Sequence, residues 1–142
     1  MMSGIRAKDT KPEMQVRKIL HSAGFRYRLH DRKLPGKPDL VLKKYGVVVM
    51  VQGCFWHGHD NCPLFRLPKS RTEFWEEKIS ANAERDNKNS IKLLELGWRI
   101  LMVWECALKG TARLDPAELS KEMSAFVSAS RLPEYEIRGL PV

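Results

Sequence analysis

An α/β fold, a mixed β-sheet flanked by helices, is what this sequence predicts, and three observations carry that expectation. Apolar residues recur with a helical period in three separate segments. Between two of them lies Val47-Val48-Val49-Met50-Val51, β-branched and apolar on both faces, as a central, doubly covered strand requires. Turn residues divide the chain into the order α-β-β-β-α-β-α, with helices before and after the strands. At 142 residues there is room for one ordinary core and too little for two.

Residues 1–9 show no periodicity and read as a mobile arm ahead of a single domain, 10–142. Thr10-Lys11-Pro12-Glu13 reads as a capping box, with Thr10 at the N-cap and Glu13 three residues on. Met14, Val16, Ile19, Leu20 and Ala23 then make an apolar helical face that Gly24 ends. Phe25 to Leu29 alternates apolar and basic residues, a strand pattern. Leu34-Pro35-Gly36-Lys37-Pro38 is a turn that delivers Asp39 to the strand Leu40-Val41-Leu42. After the central strand a Cys/His loop runs to about Lys69, and Ser70-Arg71-Thr72-Glu73 reads as a second capping box. It opens a long helix reaching Leu96, with Gly97 as its stop. Trp98–Trp104 is the last predicted strand, and Asp115-Pro116 starts a helix that turns Leu119, Met123, Phe126 and Val127 inward.

The net charge of +8 points to a polyanionic partner, and nucleic acid fits best. Residues 1–38 carry ten Lys and Arg side chains, Arg6 and Lys8 among them, against three acidic ones. No segment has membrane-spanning length and no apolar leader opens the chain, so a cytoplasmic location is expected.

Gly53-Cys54-Phe55-Trp56-His57-Gly58-His59-Asp60-Asn61-Cys62 concentrates metal-ligand chemistry. Cys54, His59 and Cys62 can meet at one point, and Cys106, just after the last strand, can supply a fourth donor. Three thiolates and one imidazole make a closed tetrahedral Zn²⁺ site of the structural type. His57 lies two residues from His59 and could replace it as the ligand; whichever histidine is left over is free for chemistry.

Asp39 stands directly after a proline at the edge of a hairpin strand, a position that resembles that of the metal-binding aspartate in restriction-endonuclease-like nucleases. The acidic-x-Lys triplet usual on the next strand is missing, since the chain there reads Val49-Met50-Val51-Gln52. Mg²⁺ takes oxygen ligands and keeps several waters, so Asp39, a carbonyl such as that of Val51, and a phosphate can suffice. His57 is the best-placed general base, with Glu13 and Asp86 as partners for it or for water. His21 and His30 read as surface residues. Phe55 and Trp56 are adjacent large aromatics in a polar loop and suit insertion between bases, at least as well as they suit a core. Trp75 fits either role.

Pro35-Gly36-Lys37-Pro38-Asp39, Gly53-Cys54-Phe55-Trp56-His57, Arg71-Thr72-Glu73-Phe74-Trp75, Glu84-Arg85-Asp86 and Val103-Trp104-Glu105-Cys106 occur in one order. Together they closely resemble the very-short-patch mismatch repair endonucleases (the Vsr family), over about residues 5–110. The resemblance implies a restriction-endonuclease-like fold and a strand-specific nick 5′ of the thymine in a T·G mismatch left by deaminated 5-methylcytosine. It implies Mg²⁺ at Asp39 and the Val51 carbonyl, and catalysis by Asp39 and His57 with Glu13 and Asp86 in support. It implies an aromatic wedge of Phe55, Trp56 and Trp75, DNA contacts from an arm containing Met2, Arg6 and Lys8, and Zn²⁺ on Cys54, His59, Cys62 and Cys106. The expected partner is mismatched double-stranded DNA, bound by a monomer, with mismatch-repair proteins as candidate accessories. Two departures stand out. Gln52 replaces the histidine usual in the family, and the arm before the first helix is shorter than the family's. Gln52 is the one feature favouring a zinc module that recognises a mismatch without cleaving it. A dimeric restriction nuclease would share the fold but not the wedge.

Overall fold

The computed structural model describes residues 9–141; Met2, Arg6 and Lys8 lie outside the described residues. Thr10 caps the first helix, α1 (Lys11–Ser22), its hydroxyl accepting the Glu13 N–H at 3.3 Å. Glu13 departs from a simple capping box. Its carboxylate is only 2% exposed, while Met14, expected inside, is 47% exposed. The buried stripe of α1 is Val16 and Leu20, which pack on the sheet.

Five strands follow in the spatial order β1-β2-β3-β4-β5. They are β1 (Arg28–Leu29), β2 (Leu40–Leu42), β3 (Val47–Gln52), β4 (Arg99–Trp104) and β5 (Glu134–Ile137). β1, β2 and β3 form an antiparallel meander, while β4 and β5 run parallel to β3. The 24-residue helix α2 (Thr72–Glu95) makes the β3-to-β4 crossover and α3 (Pro116–Ala129) the crossover to β5. Parallel strands require such long connections.

Alternation along β3 and β4 sends side chains to two cores. Val47, Val49, Leu101 and Val103 meet α1 and α3 on one face. Val48, Met50 and Ile100 meet Leu93 of α2 on the other. The helices therefore cover both faces, which is why β3 is apolar throughout.

Three expectations are corrected. The alternating segment from Phe25 pairs only at Arg28–Leu29, both exposed at the sheet edge. Phe25 instead turns into the core and packs edge-on against Tyr45, with ring centroids 5.4 Å apart. The Ser70–Glu73 box does not form: Arg71, in the left-handed region at φ 56°, is the N-cap and offers no side-chain bond. Thr72 donates its hydroxyl backward to the Pro68 carbonyl at 2.9 Å. Finally, β5 was not foreseen. Tyr135 and Ile137 do alternate with Glu134 and Glu136, but four residues at an edge give too short a period to stand out.

Candidate active site and metal centre

β3 and β4 end side by side, with Gln52 in register with Trp104. The chain beyond each end carries the chemistry, as in open α/β sheets generally. Cys54, His59 and Cys62 come from the loop after β3, and Cys106 from a single 3-10 turn, Glu105–Ala107, after β4. Their four donor atoms lie within 4.8 Å of one another. His59 Nδ1 is 3.5 Å from Cys54 Sγ and 3.5 Å from Cys106 Sγ. A tetrahedron built on ordinary Zn–S and Zn–N bonds has an S···N edge of about 3.6 Å, so the spacing fits an ion at the centre.

The electrostatics agree. Burial holds His59 down to about 4, so its imidazole is neutral and ready to ligate at pH 7. Burial and the neighbouring thiols push Cys54 and Cys106 up, a cost that a divalent cation would remove. Backbone amides already point at the sulfurs. Cys106 N–H donates to Cys54 Sγ and Gly139 N–H to Cys106 Sγ, both at 3.3 Å. His59 also stacks flat on Trp104, 3.8 Å between centroids. The geometry thus groups His59 with the three cysteines as a set that could hold a metal ion, and leaves His57 outside it.

Asp39 lies at the mouth of the β2–β3 hairpin, where its Oδ2 accepts the Val51 N–H at 2.7 Å. Asp39, Val51 and His57 border two cavities. The larger, about 940 Å³, is also lined by Glu13, Phe55 and Trp56. The smaller, about 200 Å³, lies toward α2 and is lined by Gln52 and Asp86. Asp39 is raised from its ordinary 3.8 to about 7, chiefly by burial and then by the charge of Glu13. Two carboxylates thus face one cleft, Asp39 bonded to the Val51 amide and Glu13 paired with Arg17 and His30.

His57 directs Nδ1 onto Asp86 Oδ2 of α2, which leaves Nε2 as the nitrogen available to the cleft. One turn earlier on the same helix, Asn82 Nδ2 donates to the Trp56 carbonyl at 2.9 Å. Positions 82 and 86 share one helical face, so α2 grips consecutive loop residues at adjacent turns. Sequence reasoning missed Asn82, although its spacing from Asp86 was a usable signal.

Phe55, Trp56 and Trp75 form a triangle of half-buried rings, with centroids 5.0, 5.5 and 5.7 Å apart. Phe74 extends it at 5.2 Å from Trp75 and is 44% exposed. Gln52, by contrast, is 6% exposed, and its Oε1 has no hydrogen-bond partner among the described residues. His21 is exposed as expected, but His30 is not a plain surface residue. Its Nε2 meets Glu13 Oε2 at 2.8 Å.

Among the described residues no helix is long and apolar enough to cross a membrane. The family model "DNA mismatch endonuclease Vsr" matches residues 1–63. The DNA mismatch endonuclease Vsr of Escherichia coli is 44% identical over 126 residues, covering 89% of this chain and 80% of its own. The type II nicking enzyme V.NmeAIP of Neisseria meningitidis is 52% identical over 112 residues, 79% of each chain. The type II nicking enzyme V.XorIIP of Xanthomonas oryzae is 46% identical over 115 residues, covering 81% and 84%. With its mixed sheet flanked by helices and its paired cluster and cleft, the chain belongs to the restriction-endonuclease-like Vsr family of DNA mismatch endonucleases.

Proposed function

We propose that this protein nicks one DNA strand 5′ of the thymine in T·G mismatches arising from deaminated 5-methylcytosine, using Mg²⁺, and so starts very-short-patch repair. One observation carries the reading most: Asp39, tied to Val51, opens onto the same cleft as His57, whose other ring nitrogen is held by Asp86. A carboxylate for a hard cation and an oriented imidazole are what metal-assisted phosphodiester hydrolysis needs.

When bound, Mg²⁺ supplies charge neutralisation at the scissile phosphate and a lowered pKa for water. Asp39 and the Val51 carbonyl hold it. His57 accepts at Nε2 the proton of the attacking water, and Asp86 stabilises the imidazolium that results. Glu13, beside Asp39, orients water. Phe55, Trp56 and Trp75 enter the base stack from the major groove, at a cost of a few kcal/mol per unstacked step that is smallest at a mismatch. Met2, Arg6 and Lys8 contribute backbone contacts from the arm. Cys54, His59, Cys62 and Cys106 hold a structural Zn²⁺ and never touch substrate. The substrate is double-stranded DNA, bound by a monomer in the bacterial cytoplasm, with mismatch-repair proteins as candidate accessories.

The test is a nicking assay on duplexes with every mismatch and varied flanking bases, in Mg²⁺ and in EDTA. T·G duplexes should be cut on one strand only with Mg²⁺, and Asp39→Ala should abolish the cut. The buried Gln52, whose Oε1 has no hydrogen-bond partner among the described residues, favours a second reading, recognition without cleavage. Protein that binds T·G tightly but leaves both strands whole in Mg²⁺ would establish that second reading and sink the first.

A further inference from the structure

Glu13 is a charged side chain almost wholly removed from solvent, and its anchoring decides what it can do. Oε1 accepts the Asp9 N–H at 3.2 Å, and Oε2 meets both Arg17 and His30. Arg17 sits one turn along the same helix, so it travels with Glu13 and cannot fix it relative to the sheet. His30 comes from the other side. It follows β1, and its own N–H donates to the Asp39 carbonyl at 3.1 Å, in the ladder that leads into β2.

His30 thus touches both acidic residues of the cleft, Asp39 through its main chain and Glu13 through its ring. It holds this position in a left-handed conformation, φ 46°, that is uncommon for a residue with a β-carbon. Val16 and Leu20 anchor the helix backbone in the core, but they leave the rotamer of a long acidic side chain unset. Beside the Asp9 and Arg17 bonds from the helix side, the His30 ring, packed at 14% exposure, ties that carboxylate to the strand side.

We infer that His30 is a positioning residue: it locks the Glu13 carboxylate against the Asp39 strand, so that the two carboxylates are prearranged for a divalent cation and its waters before DNA arrives. This rests on the endonuclease reading for its catalytic meaning but not for its test. The interaction needs a donor at the reach of Nε2, and a glutamine amide supplies one at nearly the same distance from the backbone.

Calorimetric titration of Mn²⁺ into the zinc-loaded, DNA-free protein, together with single-turnover nicking in Mg²⁺, tests the assignment. His30→Ala should weaken Mn²⁺ binding and slow nicking, each roughly ten- to a hundredfold, as loss of a residue behind a ligand does. The KM for the duplex and the bound zinc should not change. His30→Gln should restore both properties. Wild-type Mn²⁺ affinity in His30→Ala overturns the proposal, and so does a wild-type protein that binds no Mn²⁺ without DNA. Should His30→Ala fail to fold, His30→Gln decides alone: folded protein with weakened Mn²⁺ binding overturns it. If wild type binds Mn²⁺ yet nicks no duplex, the endonuclease reading falls while the Mn²⁺ comparison still judges His30.

Discussion

Asp39 carries opposing demands, because burial and the Glu13 charge favour its neutral form while a cation needs the ionised one. Its carboxyl rises from 3.8 to about 7 in the folded, metal-free chain. The sign follows directly. An acid whose folded pKa is raised contributes stability in full below its unfolded value and loses it as pH climbs through the folded one. Metal-free Asp39→Asn should therefore melt higher than wild type above pH 7, and the gap should close as pH falls toward 4. Thermal scans in EDTA at pH 5 and pH 8 check this; an equal gap at both refutes it. If Asp39 holds Mg²⁺ as proposed, protons compete with it in the same window, so apparent Mg²⁺ affinity should rise about tenfold per pH unit below 7 and level off above. Much at this scale was legible in the sequence. A proline-aspartate pair at a strand start and two cysteines bracketing histidines name their chemistry by residue type. His30 was not legible, because a lone histidine after a short strand gains meaning only when a helix seventeen residues away brings Glu13 to it.

At the scale of elements, the loop after β3 is held from three directions. Helix α2 grips Trp56 and His57 through Asn82 and Asp86. The Glu105 carboxylate accepts the Cys54 N–H at 3.1 Å. The segment after β5 closes the far side, with Arg138 donating to the Asp60 carbonyl at 2.6 Å and Gly139 to the Cys106 sulfur. Gly139 has no room for a side chain: a β-carbon would stand 2.5 Å from the Cys106 carbonyl oxygen and 2.7 Å from that of Ala112. Those are backbone atoms, so the segment itself must move. Gly139→Ala should lower stability by about 1–3 kcal/mol and speed metal loss to a chelator. Unchanged chelator kinetics would show that the segment does not support the cluster. The helices were legible from period and stop signals, and Asp115 caps α3 as its sequence suggests. The start of α2 was not, because Thr72 spends its hydroxyl on the preceding turn rather than on the helix. Competing local hydrogen bonds of this kind leave no mark on a sequence pattern.

For the molecule as a whole, charge and chain connectivity set the behaviour. Lys11 borders the larger cavity and Lys37 the smaller, both exposed. If each meets a phosphate, replacing either by alanine should weaken binding to all duplexes alike and flatten the log–log salt dependence by about one. Binding isotherms across a salt series measure this, and an unchanged slope would remove that lysine from the DNA path. The layered sheet was legible because β3 is apolar on both faces, whereas the parallel partner β5 depended on contacts that only the folded chain makes. The Cys106 amide meets the Cys54 sulfur although the two residues are 52 apart in sequence. A metal shared between those two thiolates closes the intervening chain into a ring, as a disulfide would, but without needing an oxidising compartment. While the ion stays bound to both thiolates of the opened chain, a ring of that size costs the unfolded ensemble about 4 kcal/mol of entropy. Metal supply would then govern how readily this chain refolds after each opening, quite apart from what the ion does for the loop once folded.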